Sequence, residues 1–387
     1  MQKTNILFVI TKLELGGAQK QLLAIIRDLD RQKFQPYLFT SREGFLVSDA
    51  QVVKGLVLFR SRFLERKINP FKDIVSFFQL RYFIKKNKIQ IVHTHSSKAG
   101  ILGRLAASSC KVPGIIHTVH GWSFNDFQPA WKRGLFIWLE RICGDCSDKI
   151  AVVSDCDRKK GLAFNIGSPS KYQRINYGID YGEFGQPSPD TEKELKLDPQ
   201  DLAVGMVSCF KPQKSPQDFI RLARAVRERM DNVKFILVGD GILRSQIERL
   251  IKKYKLENEV LLLGWRGDIP QILSCLDVFV LTSLWEGVPI AALEAMASSL
   301  PVVATKTGGI GEIISDGKNG FLKAPGDITG LSEKLMLLLK DAELRSRMGR
   351  EGKEGLGETF RLDNMQKNYY NLYTEILEHH SILYAPR

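Results

Sequence analysis

The chain has 387 residues, 44% of them apolar and 26% charged, with a formal net charge of +13. That length suits two to three globular units, and the composition excludes a chain dominated by disorder, a collagen-like repeat or a coiled coil. No apolar run approaches the ~18 residues a membrane span needs, and the apolar stretch at 5–10 is too short for a signal-peptide core and lacks a cleavage site. The expectation is a cytoplasmic protein.

In chain order, strand-like runs at 5–10, 34–40, 89–95, 114–120 and 149–154 alternate with helical patterns, as at 18–29, 71–86 and 97–109. The series restarts with strands at 202–210, 233–239, 260–265, 278–283 and 301–305, again with helices between. Near-continuous Val/Ile/Leu strands with helical crossovers predict parallel sheets covered on both faces, hence an α/β protein of two doubly wound domains. Turn formers concentrate at 177–189, which reads as a linker. From about 331 to 380 the pattern is helical throughout. The domains are placed at 1–185 and 186–362. Open α/β sheets bind ligands outside the carboxyl ends of their strands, so two such domains face to face would place a cleft between them.

The charge is uneven. Residues 1–185 hold 29 Lys and Arg against 15 Asp and Glu, and residues 51–100 alone hold 11 against 2. Such an excess points to a polyanionic partner: anionic lipid, nucleic acid or a phosphorylated substrate. Six scattered cysteines make no disulfide framework, and the one Cys-x-x-Cys, Cys143 to Cys146, reads as two small residues late in a helix.

The most informative loop follows the run at 278–283. Glu286, Gly287, Val288, Pro289 and Ile290 lead into an Ala-rich helix, with Pro289 expected as its first residue and Glu294 within it. Free N–H groups at 287–291 would make an anion site at the helix N-terminus. Carboxylates beside a diphosphate would repel it, so Glu286 and Glu294 are expected to bind sugar or ribose hydroxyls. The plainer alternative makes Glu294 a solvated helix residue and Glu286 a complement to the dipole.

A second anion site follows the run at 202–210, where Lys214 precedes Ser215, Pro216 and Asp218 in an S-x-x-D capping pattern. Two glycine-bearing turns, Gly308-Gly309 and Gly16-Gly17, also join strand to helix. Gly239-Asp-Gly241 resembles a dinucleotide fingerprint, with Arg244 where the third Gly belongs. Four of the six histidines form two pairs, His93/His95 and His117/His120, each closing a strand and expected at the cleft edge. No carboxylate or cysteine stands at useful ligand spacing from them, which makes a zinc site the least favoured of three readings, behind a core role and a substrate role. Asp155-Cys-Asp157 reads as a helix start capped by Ser154 rather than a metal-binding D-x-D.

Taken together, Gly16-Gly17-Ala-Gln, His93-Thr-His95 with Lys98-Ala-Gly-Ile-Leu-Gly-Arg104, His117-Thr-Val-His120-Gly-Trp122, the Pro-Gln-Lys214 loop, Glu286-x7-Glu294, Gly308-Gly309 and Asn319-Gly320-Phe321 resemble glycosyltransferase family 4. These are group 1 glycosyltransferases of the GT-B fold, and the likeness runs over nearly the whole chain. It implies a retaining enzyme that uses a nucleotide-sugar donor, here expected to be a UDP-sugar, and needs no metal or other cofactor. It implies that Glu294 holds the ribose and Glu286 the donor sugar. Lys214 and the amides after Glu286 would hold the diphosphate, and His120 would sit beside the transferring sugar. Gly16 and Gly17 join the expected donor-binding residues, and the final helix, 363–387, would pack back onto the first domain. The family usually carries an Arg where this chain has Cys209. Either Lys211 supplies that charge, or the leaving group is less strongly stabilised.

The resulting expectation is sugar transfer to a lipid-linked or cell-surface polysaccharide precursor, at the inner face of the cytoplasmic membrane. A non-transferring GT-B enzyme, either an epimerase or a phosphorylase, is the alternative within the fold. A basic nucleic-acid-binding protein is the alternative outside it, although nucleic acid is not the expected partner. Oligomeric state is not readable from these residues.

Overall fold

The computed structural model describes residues 3–383. The chain divides into two units, residues 1–178 with 363–387, and residues 179–362. The boundary therefore lies at 178/179 rather than 185. Ile179 donates its N–H to Phe360 O and accepts from Leu362 N, which ties this segment to the second unit. The run of turn formers at 177–189 thus spans the boundary.

The first unit runs β1 (Thr4–Ile10), α1 (Gly17–Asp28), β2 (Phe34–Ser41), α2 (Val47–Gln51), β3 (Val57–Ser61), α3 (Pro70–Lys86), β4 (Ile91–His95), α4 (Ser97–Ser109), β5 (Gly114–Val119), α5 (Ala130–Asp145), β6 (Lys149–Val152), α6 (Asp155–Ala163) and β7 (Tyr172–Arg174). Its strands form one parallel sheet in the order β3-β2-β1-β4-β5-β6-β7. The second unit runs α7 (Pro189–Glu194), β8 (Leu202–Val207), α8 (Pro216–Arg227), β9 (Val233–Val238), α9 (Arg244–Tyr254), β10 (Val260–Gly264), α10 (Ile269–Ser274), β11 (Val278–Leu281), α11 (Ile290–Ala297), β12 (Val302–Thr305), β13 (Gly320–Lys323), α12 (Ile328–Lys340) and α13 (Ala342–Leu356). Its sheet, also parallel, has the order β10-β9-β8-β11-β12-β13. Helix α14 (Leu362–Leu383) closes the described chain.

Strand alternation decides which helix lies on which face. Leu7 and Val9 of β1 pack with Phe39 and Val92 against Leu80, Phe83 and Ile84 of α3 and Ala106 and Ala107 of α4. Phe8, one residue out of phase, points to the other face and meets Tyr373 of α14 edge-on. The last helix is thus part of the first unit, and its aromatic residues complete that unit's core. Residues 384–387 of the expected packing-back segment lie outside the described residues.

Strands β3, β7 and β13 escaped the sequence reading because each is a short edge strand. An edge strand of four or so residues buries too little to leave a long apolar run. The helical tail is three helices, interrupted at Asp341 and at 357–361.

Candidate active site

In each sheet the strand order reverses once, between β1 and β4 and between β8 and β11. The loops leaving such a pair turn to opposite faces and open a crevice at the carboxyl ends of the strands. In the second unit those two loops carry Lys214 and Glu286.

Three loops are stitched together there. Thr282 Oγ1 donates to Ser215 O at 2.8 Å, Leu284 N to Gln213 O at 2.7 Å, and Gln213 Nε2 to Trp285 O at 3.0 Å. The loop after β12 joins through Thr305 Oγ1 to Ser283 O at 2.5 Å and Gly309 N to Gly287 O at 2.7 Å. Gly308 makes this approach feasible. Its φ is +52°, and a Cβ there would stand 1.9 Å from Glu286 O.

On this platform Lys214 Nζ meets Glu286 Oε1 at 2.5 Å, and Ser283 Oγ donates to the same oxygen at 2.6 Å. The Glu286 side chain is only 5% exposed, whereas Lys214 keeps 23%. Oε1 of Glu286 is therefore already engaged by the protein, a contact that no spacing in the sequence announces. Ser215, directly after Lys214, is held in the left-handed region at φ 43°. A non-glycine residue there is strained, and here the strain falls at the Lys214 turn. Ser215 also departs from the expected cap. Its hydroxyl donates to Asp218 Oδ2 at 2.7 Å but caps no helix amide.

Pro289 is the N-cap of α11, one residue before the helix, so the helix starts at Ile290 rather than at Pro289. Among the described residues the amides of Val288, Ile290 and Ala291 donate to no protein acceptor. They are the orphan donors expected of a first turn, and they favour an anion. Glu294 lies one turn further in and is buried at 9% exposure, which removes the solvated-residue alternative. Lys211 opens the short 3-10 turn Pro212–Lys214, and Cys209 is half-buried behind it. The fingerprint-like glycines have a packing role: a Cβ on Gly239 or Gly241 would run into the backbone of Ser208 or Phe210.

Gly16 and Gly17 belong to the first unit, at the start of α1, with no acidic residue in that helix's first turn. The histidines lie in the same unit. His93, His95 and His117 are buried in β4 and β5 rather than at an edge. His93 hydrogen-bonds Tyr373 Oη at 2.8 Å and Thr118 Oγ1 at 2.7 Å, and His117 bonds Thr94 Oγ1 at 2.9 Å. His120, just past β5, has both ring nitrogens engaged, Nε2 with His95 Nδ1 at 2.9 Å and Nδ1 with Tyr177 Oη at 2.8 Å.

His95 Nε2 is buried without a partner. A bare lone pair is the cheaper thing to leave there, so His95 donates from Nδ1 to His120, and His120 donates from Nδ1 to Tyr177. Burial lowers the pKa of His120 to about 4 and that of His93 to about 3, the latter helped by charge on His120. Both rings are neutral at pH 7. Tyr177, Tyr373 and Ser283 were missed from sequence, since a lone Tyr or Ser in a turn or helix carries no spacing signal.

Asp155 and Asp157 do start a helix. Ser154 Oγ accepts from Asp157 N at 3.0 Å, and Asp155 pairs with Arg158 and Arg174. Among the described residues no group of three or more His, Cys, Asp or Glu side chains is arranged to hold a metal ion.

The model described as Glycosyl transferases group 1 matches residues 188–355, and that described as Glycosyltransferase Family 4 matches residues 15–183. The UDP-Gal:α-D-GlcNAc-diphosphoundecaprenol α-1,3-galactosyltransferase of Escherichia coli is 33% identical over 336 residues, covering 85% of this chain and 86% of its own. The chain belongs to the family 4, group 1 glycosyltransferases. The N,N'-diacetylbacillosaminyl-diphospho-undecaprenol α-1,3-N-acetylgalactosaminyltransferase of Campylobacter jejuni is 25% identical over 92% of this chain and 95% of its own. Among solved structures, Anabaena HepE in complex with UDP and glucose superposes with a TM-score of 0.83 at 20% identity, covering 96% of this chain and all of that one. The two doubly wound domains are those of the GT-B fold class.

Proposed function

We propose that this glycosyltransferase moves a sugar, with retention of anomeric configuration, from a UDP-sugar to a lipid-linked precursor of a surface polysaccharide. The observation that carries the reading is Lys214 paired to Glu286 beside the open amides of α11, at the switch point of the second sheet. Expelling a nucleoside diphosphate develops negative charge on its terminal phosphate. A fixed ammonium and preorganised amide dipoles stabilise that charge without reorganising, which gives a metal-independent route. Lys214 and the amides of Val288, Ile290 and Ala291 would hold the diphosphate, Glu294 the ribose and Glu286 the sugar.

The lipid-linked acceptor is supported by two relatives whose names specify undecaprenol diphosphate sugars. UDP is supported by the HepE complex. The basic first half supports work at an anionic membrane, at its inner face. Among the described residues no helix is long and apolar enough to cross a membrane.

The test is a thermal-protection screen of nucleotide sugars, followed by transfer to an undecaprenyl-diphosphate sugar with and without a chelator. Protection by a UDP-sugar and chelator-resistant transfer with the α anomer retained are expected. Release of free sugar phosphate or an epimerised donor would replace transfer with the alternative chemistries of the fold. Loss of transfer with chelator, restored by manganese, would overturn the metal-free route.

A further inference from the structure

The crossover helices α3, α4 and α5 form one layer on the sheet of the first unit. Lys98 of α4 pairs with Asp73 of α3 at 2.6 Å, and Arg104 of α4 pairs with Glu140 of α5 at 2.6 Å. A surface helix should turn a polar stripe outward. Helix α3 does not. Its inner side buries Leu80, Phe83 and Ile84, yet Phe71, Ile74, Phe78 and Tyr82, spaced by three and four residues, stand 57–72% exposed on the opposite side.

The α5 region repeats the pattern. Trp131, Leu135 and Trp138 of α5 are 43–73% exposed at spacings of four and three, and Phe127 in the turn before the helix is 60% exposed, while Cys143 and Glu140 face inward. Two apolar stripes therefore look outward from one layer, and among the described residues they hold most of the first unit's exposed aromatic side chains. Isolated exposed apolar residues need no explanation, but paired stripes with helical periodicity do.

The surroundings choose the partner. The segment 51–100, which contains α3, has 11 basic and 2 acidic residues, and both acids are already paired, Glu65 with Lys72 and Asp73 with Lys98. Lys85 and Lys86 end α3, with Lys86 Nζ 5.7 Å from the centre of the Tyr82 ring. On α5, Lys132 and Arg133 follow Trp131. A second copy of this chain would bring a basic rim against a basic rim. An anionic bilayer offers apolar depth for the stripes and negative headgroups for the rim, with Trp and Tyr at the interface they favour.

We propose that the outer face of the α3–α4–α5 layer docks on an anionic phospholipid bilayer. The α3 and α5 stripes dip below the headgroups, and the surrounding cations rest on the phosphates. This assignment rests on the lipid-linked-acceptor reading above and gives it a particular surface.

The test uses the full-length protein with vesicles of phosphatidylcholine, alone or mixed with phosphatidylglycerol. Sedimentation with the mixed vesicles at low salt, and release at high salt, are expected. Brominated acyl chains should quench part of the tryptophan fluorescence, and the Trp131→Phe/Trp138→Phe variant should lose that part while still sedimenting. The Phe78→Ser/Tyr82→Ser and Trp131→Ser/Trp138→Ser variants should each partition on the order of tenfold more weakly, with thermal protection by the donor unchanged as proof of folding. Serine variants that sediment like the parent, or binding without quenching, would overturn this face. So would self-association in solution that the same variants abolish. Transfer to a detergent-dispersed lipid-linked acceptor does not require docking. Its absence would sink the functional reading, and its presence with unaltered vesicle binding of the variants would sink only the docking face.

Discussion

Lys214 is held by a carboxylate before any phosphate reaches it. The Glu286 and Ser283 contacts fix the ammonium on the platform, so donor binding does not have to order a freely rotating side chain. Lys214→Ala should weaken nucleotide-sugar binding by about 1.5–3 kcal/mol, the range for a charge-assisted hydrogen bond, and Glu294→Ala should cost a similar amount. Calorimetric titration reads both losses. Folded variants that bind like the parent would place the donor elsewhere.

His120 should behave differently. With both nitrogens spent on His95 and Tyr177, its ring is a positioned element, and His120→Ala should lower kcat, by up to about a hundredfold, more than it raises the donor Kd. Full turnover would remove it from the reaction. The buried histidines also set a pH dependence. The pKa of His93 falls from an unfolded value near 6.5 to about 3, so between those values the unfolded chain binds more protons. Stability is complete above pH 6.5 and declines as pH falls toward 3, with a slope of at most about 1.4 kcal/mol per pH unit from this one residue. Urea unfolding at pH 7 and pH 5 measures it, and an unchanged midpoint would contradict a neutral buried ring.

At the scale of elements, the tie between α4 and α5 is a fully buried ion pair. Arg104 also donates to Gly100 O at 2.9 Å, and Glu140 accepts from Ser123 at 3.1 Å. Removing one partner leaves an uncompensated charge, so Glu140→Ala should destabilise the protein by about 3–5 kcal/mol. Replacing both, as Arg104→Met with Glu140→Leu, should recover most of that loss in urea unfolding. A double variant no better than the single would show that the pair is needed for more than charge balance.

The elements that position the site were legible because their signals are strong. The fully flanked strands β1, β8 and β11 read as apolar runs, α4 was bounded to the residue, and Ser154 announced its cap. Less was legible where partners come from afar. Nothing in the spacing around His93 names Tyr373, 280 residues away. The Glu286 loop showed its anion-binding turn, but not that Lys214, on another loop, would occupy its carboxylate. The Ser215 pattern gave a cap that the left-handed backbone then withheld, since the hydroxyl turned to Asp218 instead.

For the whole molecule, the first unit is assembled from two distant stretches of chain. Tyr369 and Tyr373 of α14 are buried against His93, Thr118 and Phe34. Ending the chain after Arg361 should remove these contacts at a cost of several kcal/mol, since a large buried aromatic contributes about 3–5 kcal/mol. Calorimetry should then show the first unit melting earlier while the second unit's transition stays in place. Coincident loss of both transitions would mean that the two units unfold as one.

That division also imposes an order on birth at the ribosome. Residues 1–178 emerge first but cannot close their aromatic core until α14 follows. At ~5–20 residues per second, synthesis of the whole second unit intervenes, a delay on the order of ten seconds or more. Throughout that interval Phe8, Phe34 and His93 lack their cover, while the second unit can finish its own sheet. A helix made after the whole second unit thus completes a sheet made before it, and that waiting sheet is the stage at which a chaperone has most to shield.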